Sequence, residues 1–371
     1  MSIEKLSELS RFYGSNPEYT LAGGGNTSFK DEETLFVKAS GFSLADATAD
    51  SFVKMDRQAL NAIWEKAYPA SSEEREKEVL ADLMAARKEG DKRPSVEALL
   101  HDIIPFSYVV HLHPALVNGL CCSKNGETAF KEIFCEDTLW IPSTNPGYIL
   151  SRLVKTALDE YYAAQKKHPS VILLQNHGIF AGADTIEGIK RVYDEVMEKI
   201  GAKIIRKPDF SDEERISAEE IPRKHVDIFA LLKEISGYSS FMNSREIARY
   251  IKDRPSFYPV SSAFTPDHIV YAGSDPLFTE ANTPETIRTD WDKHTQKTGR
   301  AAKIIAVKGL GVFSAAATQK AAFFALDLFK DTVKVAVYTE SFAGPLFMTQ
   351  DKIDFINNWE VERFRSGVST K

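Results

Sequence analysis

The spacing of apolar residues divides this chain into segments of different kinds. In IEGIKRVYDEVMEKIGAK, apolar side chains stand at Ile186, Ile189, Val192, Tyr193 and Val196. Steps of three and four predict a helix with one buried stripe. TLFVKAS, YVVHLH, TLWIP and VILLQN are short, dense apolar runs and predict strands. DRQALNAIWEKAY, EEREKEVLADLMAARKEG and VEALLHDII predict helices between them. Strands and helices alternate over residues 1–204, which is the pattern of an α/β domain.

The stretch IRKPDFSDEERISAEEIPRKH, residues 205–225, is charged, contains two prolines and has few large apolar residues. It reads as a linker. Residues 226–371 return to mixed patterning, with KIIAVKGLGVF predicting paired strands and TQKAAFFALDLFKDTVKVAVY a helix. An internal repeat joins the halves: LLQNHGIFAGADT, Leu173 to Thr185, aligns without gaps on AVKGLGVFSAAAT, Ala306 to Thr318. His177 of the first copy becomes Leu310 of the second. The second copy is therefore expected to keep the scaffold and to lack the histidine.

Composition narrows the function classes. The 371 residues suffice for two domains, and 43% apolar with 27% charged residues is a globular mix. A net charge of -7 without basic clusters argues against a nucleic-acid partner. MSIEKLSELSRFYG has no basic stretch leading into an apolar one, and no apolar run has the length of a membrane span. Cys121, Cys122 and Cys135 are odd in number and lack a framework spacing, so they read as reduced thiols. The expectation is a cytoplasmic protein with neither membrane nor nucleic-acid partner.

Four stretches carry candidate chemistry. GGGNTSFK, Gly23 to Lys30, fails the dinucleotide pattern because Ser28 stands where the third glycine belongs, and it is not a P-loop. It is expected to present backbone N–H groups, with Asn26, Thr27 and Ser28 as added donors, to a single phosphate. In SYVVHLHP, His111 and His113 fall on one face of a strand, with Leu112 on the other. Two imidazoles so placed can chelate a divalent ion. In QNHGIF, His177 ends a strand before a Gly178 turn, and three imidazoles on zinc would leave a fourth position open. In RPSVEALLH, Pro94 and Ser95 read as a helix start, placing Glu97 and His101 on one helical face. Glu97 suits proton transfer beside a metal, or equally a first-turn glutamate. His101 reads as a core or supporting residue.

In this order and at these intervals, GGGNTS, KASG, PSVE, HLHP and NHG resemble the class II aldolase/adducin family. TPDHIVYAGSDPLF and KGLGVFSAAAT extend the likeness towards the aldolase half of bifunctional rhamnulose-1-phosphate aldolase/lactaldehyde dehydrogenase proteins. The resemblance implies a three-layer α/β/α sandwich followed by a degenerate copy of a similar unit. It implies a zinc ion, or another divalent transition metal, on His111, His113 and His177, with Glu97 as acid/base. It further implies a phosphate cradle of Gly25, Asn26, Thr27, Ser28, Ser40, Gly41 and Ser95. Val96 stands where many relatives have a second serine, so Lys30, Lys38 or Arg93 is a candidate replacement donor. The implied reaction cleaves a ketose 1-phosphate, with L-rhamnulose 1-phosphate a candidate, to dihydroxyacetone phosphate and an aldehyde through a metal-held enediolate. Implied alternatives are a pentulose-phosphate 4-epimerase, a sugar-acid decarboxylase and a non-catalytic adducin-like scaffold. A homo-oligomer acting on a small phosphorylated sugar is expected.

Overall fold

The computed structural model describes residues 3–134, 137–220, 224–280 and 282–369. Cys135 and residues 221–223 of the charged stretch lie outside these. The chain forms two compact units. One comprises the residues up to Cys121, Gly126–Lys203 and Asn358–Ser369, and the other Cys122–Asn125 and Ile204–Asn357.

The first unit is built on seven strands: β1 (Asn26–Lys30), β2 (Thr34–Lys38), β3 (Phe52–Asp56), β4 (Tyr108–Leu112), β5 (Thr138–Ile141), β6 (Val171–Leu174) and β7 (Gly178–Ala183). Their order across the sheet is β3-β2-β1-β4-β7-β6-β5. Every neighbouring pair is antiparallel except β5 and β6. The helices are α1 (Ile3–Gly14), α2 (Arg57–Glu65), α3 (Ser72–Ala85), α4 (Ala98–Ile103), α5 (Ala115–Cys121), α6 (Gly126–Ile133), α7 (Tyr148–Gln165) and α8 (Ile186–Gly201).

Alternation along the strands assigns these helices to two faces. Leu35, Val37, Val53, Met55, Val109 and Phe180 point to one face, where they pack with Leu60 of α2, Val79 of α3, Leu99 of α4 and Val154 of α7. On the other face, Thr27 bonds Ser10 of α1 and the Val110 carbonyl accepts from Tyr193 of α8. The stripe expected on α8 is present, with Ile189, Tyr193, Val196 and Ile200 buried. Helices on both faces of one sheet make the expected three-layer sandwich.

The second unit has β8 (Glu214–Ile216), β9 (Phe241–Asn243), β10 (Leu277–Thr279), β11 (Ile304–Val307) and β12 (Gly311–Ser314) in the order β10-β11-β12-β9-β8. Its helices are α9 (Val226–Ser236), α10 (Arg245–Tyr250), α11 (Arg254–Phe257), α12 (Pro284–Thr298), α13 (Gln319–Thr339) and α14 (Gln350–Asn358). Part of the charged stretch therefore belongs to this sheet. β8 pairs with β9, and Arg215 meets Asp327 of α13 at 2.7 Å.

The repeat is visible in the backbone. β6 and β7 pair Leu174 with Gly178, while β11 and β12 pair Val307 with Gly311. The helix after each hairpin is capped by a threonine: Thr185 accepts from Gly188 N at 3.0 Å and Thr318 from Ala321 N at 3.1 Å. Leu310, at the position of His177, packs against the apolar core of its own unit.

Lys30 fixes α4. Its buried Nζ donates at 2.6 Å to the carbonyls of His101 and Ile104, where the helix dipole favours a cation. Burial nevertheless lowers its pKa from 10.5 to about 7. The unfolded chain then binds more protons between these values, so this group makes stability rise with pH from about 7 to about 10.5. Lys30→Met is expected to flatten that rise in urea denaturation at a series of pH values.

Candidate metal centre and acid/base site

The site grows from the register of three strands. His111 on β4 lies directly opposite Asn26 on β1 and Phe180 on β7, so all three side chains share a face. The Ile179 carbonyl lies 3.0 Å from His111 Nδ1. A carbonyl can only accept, so Nδ1 carries the proton and Nε2 presents an electron pair. Phe180 stacks on the same ring, centroids 4.1 Å apart and planes 17° from parallel.

His113 lies one residue beyond the end of β4, with its Nε2 2.9 Å from His111 Nε2. His177 comes from the β6–β7 turn, where Asn176 takes φ +57° and His177 N donates to Leu174 O at 3.2 Å. One ligating nitrogen from each of the three rings lies within 4.8 Å of the others. Gly178 permits this approach. A Cβ there would meet Leu112 O at 2.5 Å and His113 Cδ2 at 2.6 Å.

Glu97 arrives differently from the sequence expectation. The helix begins at Ala98, and Glu97 is its N-cap residue at φ -90°, ψ 11°. Ser95 Oγ accepts from Glu97 N at 3.2 Å, forming a turn in place of the first helical residues. Glu97 Oε2 accepts from Asn26 Nδ2 at 2.7 Å. Its Oε1 lies 3.4 Å from His111 Nε2 and 3.5 Å from His177 Nε2. That oxygen is buried and has no hydrogen-bond partner among the described residues. Three imidazole nitrogens and an unsatisfied carboxylate oxygen converge here, and a divalent cation would satisfy them together. The donor set therefore fits the expected metal.

The expected phosphate cradle divides. Asn26, Thr27 and Ser28 are strand residues and not loop donors. Thr27 faces away from the histidines and bonds Ser10 at 2.7 Å. Ser28 Oγ lies 2.6 Å from His101 Nδ1. Gly25, at φ +69°, lets β1 start hard against β4, since a Cβ there would lie 2.9 Å from His111 O. Ser40, with Gly41 after it, is brought to Ser95: Ala39 bridges Pro94, Ser40 N donates to Arg93 O at 2.9 Å and Ser95 N to Lys38 O at 3.2 Å.

The candidate replacement donors also separate. Lys30 is committed to the α4 carbonyls, and Lys38 donates to Phe42 O at 2.6 Å. Arg93 stays beside Ser40. Its guanidinium grips Glu360 of α15 (Glu360–Ser369) through two bonds of 3.0 and 2.7 Å, and Phe364 lies 4.6 Å from its carbon. His101 is fully buried, and that burial lowers its pKa and keeps it neutral. The Ile179 carbonyl and the Phe180 ring were missed from sequence. Their signal was the run NHGIF, because pairing β7 on β4 places both beside His111.

Residues 4–199 match the class II aldolase and adducin N-terminal domain, and the chain belongs to the class II aldolase/adducin family. The cluster of His111, His113 and His177 could hold a divalent metal. The uncharacterized oxidoreductase YuxG of Bacillus subtilis (strain 168) is 24% identical over 326 residues. That alignment takes in 82% of this chain but spans only 44% of the length of YuxG. Solved structures are also similar to part of this chain. The N-terminal class II aldolase domain of a conserved protein from Thermoplasma acidophilum is 23% identical, with 54% of this chain and 93% of that one covered and a TM-score of 0.46. The sugar-phosphate aldolase from Thermotoga maritima is 13% identical, with 54% and 92% covered and a TM-score of 0.39. Among the described residues, no helix is long and apolar enough to cross a membrane.

Gly178→Ala should push His113 out of the cluster. Divalent-metal affinity, measured by equilibrium dialysis with metal analysis, is expected to fall about 10–100-fold, with the far-ultraviolet circular dichroism retained.

Proposed function

We propose that this chain is a metal-dependent aldolase that cleaves a ketose 1-phosphate to dihydroxyacetone phosphate and an aldehyde. The observation that carries the reading is the buried Glu97 Oε1, unsatisfied and within 3.5 Å of nitrogens on His111 and His177. A carboxylate held there can take a proton from the substrate's C4 hydroxyl as the C3–C4 bond breaks. It can then return that proton to C3, where the bonding pair is left in conjugation with the C2 carbonyl. His111, His113 and His177 would hold the ion, zinc by the donor set, and a bound ion supplies Lewis-acid polarisation of a carbonyl.

Ser40, Gly41 and Ser95 are candidates for the phosphate. Arg93 beside them already receives a carboxylate in bidentate fashion, the geometry that also suits phosphate. Phe180 and the Ile179 carbonyl keep the His111 ring in one orientation and one tautomer.

A coupled assay for dihydroxyacetone phosphate, run on zinc-loaded protein with L-rhamnulose 1-phosphate and L-fuculose 1-phosphate, tests the proposal. Release from one sugar is expected. Glu97→Gln should lower kcat by a factor on the order of 10²–10⁴, and His177→Ala should abolish both activity and stoichiometric metal. Release from neither sugar, with metal bound, would sink the aldolase reading in favour of epimerase or decarboxylase chemistry.

A further inference from the structure

Four buried polar groups run in line behind the acid/base site. Ser28 Oγ lies 2.6 Å from His101 Nδ1. His101 Nε2 hydrogen-bonds Asn26 Oδ1, and Asn26 Nδ2 lies 2.7 Å from Glu97 Oε2. Ser28 and His101 have no exposure, and Asn26 and Glu97 are buried.

Elementary donor counting places every proton in this line. Reversing the Asn26 amide would set its oxygen against a carboxylate oxygen, two acceptors face to face, so Nδ2 donates to Glu97. Asn26 Oδ1 then faces His101 and can only accept, so His101 Nε2 carries a hydrogen. Burial disfavours a second proton on this ring. His101 Nδ1 is thus an acceptor, and the Ser28 hydroxyl donates to it. The other acceptor in reach, Val109 O, is 3.5 Å away and the poorer partner. All three hydrogen bonds point the same way, towards the carboxylate.

We infer that Ser28, His101 and Asn26 are positioning residues whose directed hydrogen bonds hold Glu97 with Oε2 bound and Oε1 turned to the histidines. Asn26 and Ser28 of the glycine-rich stretch then turn their side chains towards the acid/base group. This rests on Glu97 being the proton carrier proposed above. Two further contacts keep the line straight. Lys30 fixes the carbonyl end of α4, and Asp102, next to His101, accepts from Arg57 Nε at 2.6 Å. Thr27 takes no part, because its hydroxyl is tied to Ser10 on the opposite face.

The test combines nitrogen-15 NMR of histidine-labelled protein with kinetics on the full chain. The His101 signals, assigned by their loss in His101→Gln, should show the hydrogen on Nε2, and Ser28→Ala should perturb that tautomer. Ser28→Ala and Asn26→Ala should lower kcat about 10–100-fold, the scale of a small misplacement of a reacting group. KM and the affinity for inorganic phosphate, followed by titration calorimetry, should stay within about twofold. His101→Gln, which keeps an N–H donor, should recover part of the loss seen in His101→Leu. A hydrogen found on Nδ1 overturns the direction of the line. Phosphate affinity about tenfold weaker in Ser28→Ala or Asn26→Ala with kcat unchanged would make them anion ligands, overturning the inference. Should the unaltered protein release nothing from either sugar, the aldolase reading fails alone, and the NMR result still decides the hydrogen-bonded line. Should His101→Leu not fold, the smaller Ser28→Ala change decides.

Discussion

The register of β4 between β1 and β7 governs this molecule's chemistry. The side-chain period of a strand is two, so a slip of one residue would turn every side chain to the opposite face. His111 would then point at α1 and α8 and lose Asn26, Phe180 and Glu97 together. The register is held on both sides by backbone pairing, and by Val109 and Val110, which are buried on opposite faces. The apolar residues of this strand thus do the aligning, and the histidine exploits an alignment it does not itself create.

Burying a carboxylate, an amine and several imidazoles in one sheet face is costly unless each finds a partner. This unit meets the demand with short, mostly one-to-one contacts. Lys30 takes two helix carbonyls, Arg57 takes Asp102, and Asn26 joins His101 to Glu97. Glu97 Oε1, at the histidine cluster, is left without such a contact, and a positive species there would complete the set. Packing and chemistry are therefore not separable in this region. The groups that stabilise the short helix α4 also surround Glu97, the residue that caps it.

Much of this was legible in the sequence because it depends on short-range periodicity. HLH places two rings on one face of a strand, NHG marks a turn at a strand end, and the hairpin repeat follows a fixed offset. The features that sequence reasoning misplaced depend on contacts between distant segments. Thr27 and Ser28 are adjacent, yet one bonds α1 and the other α4, because β1 starts at Asn26 and not after the serine. Lys30 looked available for an anion until its amine was seen against the end of α4. The helix expected from Pro94 and Ser95 begins only at Ala98, because Ser95 turns the chain first and leaves Glu97 at the helix's N-cap.

The pairing of Arg93 with Glu360 spans 267 positions of chain, and the residues between them include Ile204–Asn357 of the second unit. Chains are synthesised from the amino end at about 5–20 residues per second. The carboxylate therefore reaches the ribosome roughly 13–53 s after the arginine it will bind. Throughout that interval the guanidinium can be held by water or by any oxyanion in the cell. Any folding of the first unit during synthesis thus proceeds without α15, and Glu360 reaches the guanidinium late.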